Sequence, residues 1–202
     1  MFEIKETKNL NYSSNNTDEQ KLIELAKQGA RKALSELVKR YESTVYNFAY
    51  KICRDKEKSE NIMQETFLSM VKSIHQFDNR SKLSTWLYRI VANHCLMEAR
   101  KEKRYNYVNV EAEDGSFDDS YFPDVSKLPS KDIENSELRE ILDNAINKLE
   151  PQYRIVFTLR DIEQLSTEET AKIANLSIPA VKSRLHRARA FLRKEITKAL
   201  KK

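Results

Sequence analysis

Apolar residues return every three or four positions over most of the chain, with polar residues filling the gaps. That is the period of an amphipathic helix. Leu34, Leu37, Val38, Tyr41, Val45, Phe48, Ala49 and Ile52 form one such stripe and predict a long helix from Ala30 to about Cys53. A short helix is expected before it, opened by Thr17 and Gln20 as a capping box and closed by Gly29. Asp55 starts a third, running to about Phe77, with Ile62, Phe67, Met70, Val71 and Ile74 inward. The segment FDNRSKLS, residues 77–84, breaks the period and reads as a loop. A fourth helix is expected from about Thr85 to Arg104, buried along Leu87, Ile90, Val91 and Cys95.

The period then lapses. Residues 105–135 hold eight Asp/Glu and two Lys, a balance of −6, together with Gly115, Pro123 and Pro129. This reads as an irregular acidic linker. Its 31 residues reach roughly 100 Å when extended and roughly 30 Å as a coil. Such a tether lets the two flanking segments sit well apart. Helical spacing resumes at Ser136, with Leu138, Ile141, Leu142, Ala145 and Ile146 inward up to Leu149. Pro151 opens the next helix, with Ile155, Val156, Leu159 and Ile162 inward. The class is therefore all-α. Two small helical-bundle domains, 18–104 and 136–202, flank the flexible linker 105–135, and residues 1–17 form a mobile polar tail.

Leu165 to Phe191 carries the most local detail. Ser166 with Glu169 is a capping box, so a helix of about two turns starts at Thr167. Ser177 caps a second helix whose first turn holds Pro179. Between them Asn175 sits where a left-handed backbone is wanted, four residues after small Ala171, and Val181 is the apolar plug of the second helix. The combination predicts a helix-turn-helix. Val181, Leu185, Ala188, Leu192 and Ile196 mark the buried stripe of the second helix, and Lys182, Ser183, His186, Arg187 and Arg189 lie off it. From Ile178 onward there are nine Lys/Arg and one Glu, a balance of +8. Lys, Arg and Ser on the N-terminal half of such a helix suit the major groove.

Composition agrees. The net charge is +5, which favours an acidic partner, nucleic acid first. Two Gly and four Pro in 202 residues leave little room for hairpins. Cys53 and Cys95 are too few for a disulfide framework or a zinc site, and both read as reduced core thiols of a cytoplasmic protein. No apolar run has membrane-spanning length, so no insertion into a membrane is expected. Arg89, Asn93, Arg100 and Arg104 share a polar, basic side of the fourth helix, flanked by Lys101 and Lys103. Trp86, the only Trp, follows a loop that holds Phe77, Arg80 and Lys82, and could flank unstacked bases. His75, His94 and His186 are scattered, and no HxxxH, DxD or Gly-rich phosphate loop is present. No enzyme, metal or cofactor is expected.

Four segments, in order, resemble the extracytoplasmic-function group of sigma-70 family RNA polymerase sigma factors. They are SENIMQETF at 59–67, FDNRSKLSTWLYRIVAN at 77–93, LRDIEQLSTEETAKIANLS at 159–177 and AVKSRLHRARAFLR at 180–193. The resemblance implies a cytoplasmic transcription initiation factor that binds core RNA polymerase and promoter DNA. It implies polymerase contacts through Glu60, Asn61, Gln64 and Glu65, with Asn61 standing where the family usually has Asp. It implies a pocket for a flipped −10 base built from the loop Phe77 to Ser84, including Asn79, Arg80 and Lys82, with Trp86, Arg89 and Asn93. The −35 element would be read through Lys182, Ser183, Arg184, His186 and Arg187. A separate anti-sigma factor would control the chain. Two rivals are a stand-alone helix-turn-helix regulator binding an operator as a dimer and a nuclease. The first does not explain the FDNRSKLSTW and QETF segments, and the second lacks a metal site, since Glu60 and Glu65 are five residues apart, a poor spacing on a helix.

Overall fold

The computed structural model describes residues 18–105 and 136–200, with side chains over 18–102 and 139–200. All regular secondary structure among them is helical. The expected tail, Thr17 with its share of the first capping box, and linker residues 106–135 lie outside the described residues.

Helix α1 covers residues 18–27. The chain leaves it through Gly29 at φ +83°, a backbone conformation that excludes most side chains. Helix α2, Arg31–Cys53, ends on Arg54 in the left-handed region at φ 57°. Helix α3, Lys56–Ser73, starts at Asp55, whose carboxylate accepts the Lys58 N–H at 2.8 Å. A 3₁₀ turn, Ile74–Gln76, ends it. Helix α4, Leu83–Tyr105, begins earlier than Thr85 because Leu83 is itself buried core and fixes the first turn. Helix α5 is Ser136–Lys148, and α6 is Pro151–Phe157, which passes into a π turn, Thr158–Ile162. Helices α7, Thr167–Ala174, and α8, Ile178–Leu200, follow.

Three residues expected inward are exposed: Val71, Leu142 and Ile162. On α3 the buried line runs through Ser59, Ile62, Thr66, Met70 and Ile74, and Val71 falls one step, about 100°, off it. On α5 the buried pair Ala145 and Ile146 sets the face, and Leu142 points away from it. Ile162 ends the π turn, whose extra residue carries it out of the register that Ile155 and Leu159 still keep.

The two helical units share a core. Leu37, Phe48, Met70, Leu83, Leu87 and Val91 from α2, α3 and α4 are in one buried cluster with Ile155, Leu159 and Ile173 from the C-terminal unit. Around that seam run polar links. Lys51 pairs with Glu163 at 2.6 Å, Tyr88 Oη donates to the same carboxylate at 3.3 Å, and Arg54 pairs with Asp143 at 2.9 Å. Burial and the adjacent Glu163 carboxylate push Tyr88 up to about 12. Two smaller clusters complete the C-terminal unit. Ala145, Ile146 and Leu149 meet Ala188 and Leu192, while Val156 meets Ala171, Val181 and Leu185.

Candidate nucleic-acid interface

The helix-turn-helix forms as the local sequence predicts. Ser166 Oγ accepts the Glu169 N–H at 3.1 Å, and Glu169 Oε2 accepts the Ser166 N–H at 2.9 Å. Those two bonds satisfy donors that the start of α7 would otherwise leave open. The Ser166 N–H lowers the Glu169 carboxyl below its ordinary value, and the positive charges of Lys82 and Lys172 lower it further. After two turns Asn175 adopts φ 53°, ψ 52°, and the Asn175 and Leu176 N–H groups both return to Ala171 O. Ser177 Oγ then accepts the Ala180 N–H at 3.3 Å and opens α8. Ala171 and Val181 meet in one buried cluster with Val156 and Leu185, so their spacing fixes how α8 crosses α7.

Burying Val181, Leu185 and Ala188 turns Lys182, Ser183 and Arg187 outward, where all three are exposed. Arg184 and His186 are half-buried. Arg184 lines a groove with Leu96, Ala99 and Arg100 of α4 and with Glu150, Pro151 and Gln152 before and within α6. The structure therefore separates the five expected groove-reading residues into three that are exposed and two that are half-buried. Arg189 belongs to neither set. It clamps Asp161 with two bonds of 2.9 and 2.6 Å, tying α8 to the π turn.

The loop between the 3₁₀ turn and α4 is the second cationic place. Asn79 has φ 60°, and its side-chain amide donates to Glu24 Oε1 at 3.1 Å. Asp78 accepts the Arg80 N–H at 3.1 Å and pairs with its guanidinium at 2.8 Å. Arg80 and Lys82 are exposed, as are Arg89 and Asn93, one helical turn apart on α4. Arg104 falls where side chains are not described. Phe77, expected in the base pocket, is core at 4% exposure. Its ring packs on Trp86 with centroids 5.4 Å apart and planes at 45°. The apolar run into α4 needed a closing residue, and Phe77 fills that place. Trp86 stays half-buried. This loop adjoins α7, since Lys82 lies close enough to Glu169 to lower its carboxyl.

The outer side of α3 holds the third set. Asn61, Gln64 and Glu65 are exposed, and Glu60 is half-buried with Lys56 at 4.0 Å. Glu60 and Gln64 line a groove against Glu42 and Tyr46 of α2, whereas Asn61 and Glu65 line another against His94 and Met97 of α4. Sequence reasoning missed Leu68 and Val71, both exposed on the same side. They stand four and seven residues after Gln64, a spacing that marks them once Val71 is known to point outward.

No group of three or more His, Cys, Asp or Glu among the described residues could hold a metal ion. No described helix is long and apolar enough to cross a membrane.

Comparison with known proteins accounts for both units. Residues 37–105 match the family model for Sigma-70 region 2, and residues 139–192 match that for Sigma-70, region 4. The chain is 33% identical over 178 residues to the ECF RNA polymerase sigma factor SigW of Bacillus subtilis, covering 87% of this chain and 95% of that protein. It is 30% identical over 182 residues to the ECF RNA polymerase sigma-E factor of Haemophilus influenzae, covering 88% and 95%. In fold it is similar to the sigma factor RpoE of Bartonella quintana, solved with the anti-sigma factor NepR. The TM-score is 0.59 at 22% identity, over 82% of this chain and 98% of that one. With both regions present in order and full-length relatives of one kind, the chain belongs to the extracytoplasmic-function group of sigma-70 family RNA polymerase sigma factors, alternative factors that direct transcription.

Proposed function

We propose that this chain docks on core RNA polymerase and grips a promoter at two places. Helix α8 reads the −35 duplex in the major groove, with Lys182, Ser183 and Arg187 making the first contacts. The loop before α4, with Asn79, Arg80, Lys82, Trp86, Arg89 and Asn93, captures an unstacked −10 base of the opened strand. Phe77 supports that loop from the core side. The outer side of α3, through Glu60, Asn61, Gln64 and Glu65, meets the polymerase, which supplies the metal and the chemistry. The observation that carries this reading is the helix-turn-helix itself, with exposed Lys182, Ser183 and Arg187 opposite buried Val181, Leu185 and Ala188.

Arg184 lines the groove between α8 and α4, and parting the two helices would free it for DNA. The packed arrangement is thus the resting form, and docking on polymerase separates the units. A separate anti-sigma factor holds the factor inactive. A fold neighbour solved with such a partner, RpoE with NepR, supports that part.

Run-off transcription with purified core polymerase tests the reading. Arg89→Ala with Asn93→Ala should leave −35 duplex binding intact and abolish the run-off product. Undiminished transcription from a cognate promoter by the double variant would remove the pocket from the reading.

A further inference from the structure

Two thiols that lie 42 positions apart in the chain come together in the fold. Cys53, the last residue of α2, and Cys95, in the middle of α4, have their sulfurs 3.2 Å apart. Both are free thiols. They differ in access. Cys95 is 3% exposed and belongs to the main core, whereas Cys53 is half-buried at its edge. The surroundings differ too. Arg154 reaches across from α6 and donates to Ile52 O, the carbonyl next to Cys53, which places a guanidinium beside that sulfur. The contact with Cys95 and the positive charges of Arg154 and Lys58 lower the Cys53 thiol, while the contact and burial push Cys95 up. The pair therefore divides into an accessible nucleophile and a shielded second thiol. With no third ligand beside them among the described residues, they are not a metal site.

We propose that Cys53 and Cys95 are a reversible oxidation site, closing to an intramolecular disulfide that pins the end of α2 to the middle of α4 beneath Arg154. The oxidant is hydrogen peroxide. The Cys53 thiolate attacks one peroxide oxygen, the O–O bond breaks, and hydroxide leaves and takes up a proton as water. Cys53 is then a sulfenic acid. The Cys95 thiol attacks that sulfur, the S–O bond breaks, and a second water leaves with the Cys95 proton. Two thiols have lost two electrons, and the peroxide has been reduced to two waters. Closure needs about 1 Å of sulfur travel, within reach of side-chain rotation, because α2 and α4 already pack on each other. A thiol donor reverses it by exchange at the more accessible Cys53 sulfur.

The full chain, reduced and then treated with hydrogen peroxide, tests this. The expected result is loss of both titratable thiols, an intact mass lower by about 2 Da for two hydrogens, a monomer on a non-reducing gel, and recovery with dithiothreitol. In Cys95→Ala, which keeps Cys53, the reaction should stop at the sulfenic acid and be trapped by dimedone. In urea the two thiols are separated, so the same peroxide should close the wild-type pair more slowly. Persistence of both thiols overturns the proposal. So does a gain of oxygen in place of the loss of two hydrogens, or a disulfide found only in dimers.

Discussion

Arg154 Nη1 donates to Ile52 O at 2.5 Å, joining the C-terminal helical unit to the N-terminal one through a residue 6% exposed. Its Nη2 donates to Asn147 O and Leu149 O, each at 2.6 Å. Ile52 lies in the last turn of α2, and Asn147 and Leu149 flank the end of α5. The guanidinium thus sits where two helix C-termini converge, and their unpaired carbonyls carry the negative ends of the helix dipoles. Those carbonyls serve in place of a carboxylate, and they explain why an arginine is tolerated there although burial lowers its pKa.

Replacing Arg154 by Met keeps most of the volume and removes all three bonds. Two buried carbonyls and a part-buried one lose their partner, so a loss of about 2–4 kcal/mol in unfolding free energy is expected. The units should also part more readily, which small-angle scattering would record as a larger radius of gyration. An unchanged scattering profile would show that the shared apolar core alone holds the seam.

Ser166→Ala removes one half of the capping box on α7 and should cost about 1 kcal/mol. The other half depends on pH. The Glu169 carboxyl is held below its ordinary value near 4.5, chiefly by the Ser166 N–H. Folding therefore favours the charged form. The stability it adds is fully present above about pH 4.5 and is lost as pH falls through the lower folded-state pKa. Glu169→Gln should flatten that acid limb in chemical denaturation curves measured across the range. A limb unchanged from wild type would place the acid sensitivity at another carboxylate.

The exposed Leu68 and Val71 continue the side of α3 that starts with Asn61 and Gln64. Apolar side chains in line with polar ones suit the centre of a docking surface. Leu68→Ser should change stability by no more than about 0.5 kcal/mol, since the residue is already 52% exposed. Affinity for core polymerase should fall by about tenfold or more, measured by competition against the wild-type chain. Equal competition would confine the surface to the polar residues.

The helix-turn-helix was legible in the sequence almost residue by residue. Its determinants are local: Ser166 and Glu169 bond to each other, and Asn175 turns its own backbone. The helical stripes were equally legible where they pack on their own unit, as on α2. Legibility stopped where the cause is distant in the chain. Ile155, Leu159 and Ile173 serve a core built mostly by α1 to α4, and helical periodicity says only that they are buried, not against what. Phe77 looked like a loop aromatic because its partner Trp86 and the core beneath it come from tertiary packing. The Cys53–Cys95 contact was hidden for the same reason, being a meeting of two helix faces. Ile162 was misplaced because a π turn leaves no simple mark on apolar spacing.

Lys182 and Arg187 are both exposed on α8, but they stand at different distances from its N-terminus and should act differently. Residues near the start of a recognition helix meet base edges, and those further along meet phosphate more often. Lys182→Ala should therefore weaken binding to a cognate −35 duplex by about 1–3 kcal/mol and relax preference at one base pair. Arg187→Ala should weaken cognate and scrambled duplexes alike, and should lower the slope of log affinity against log salt by about 0.9 for the phosphate it releases. Fluorescence anisotropy over a salt series with both duplexes separates the two. If Arg187→Ala spares the scrambled duplex and changes only the base preference, the roles are reversed, and α8 lies deeper in the groove than the order of these side chains implies. If neither substitution alters the salt slope or the preference, α8 is not the helix that enters DNA.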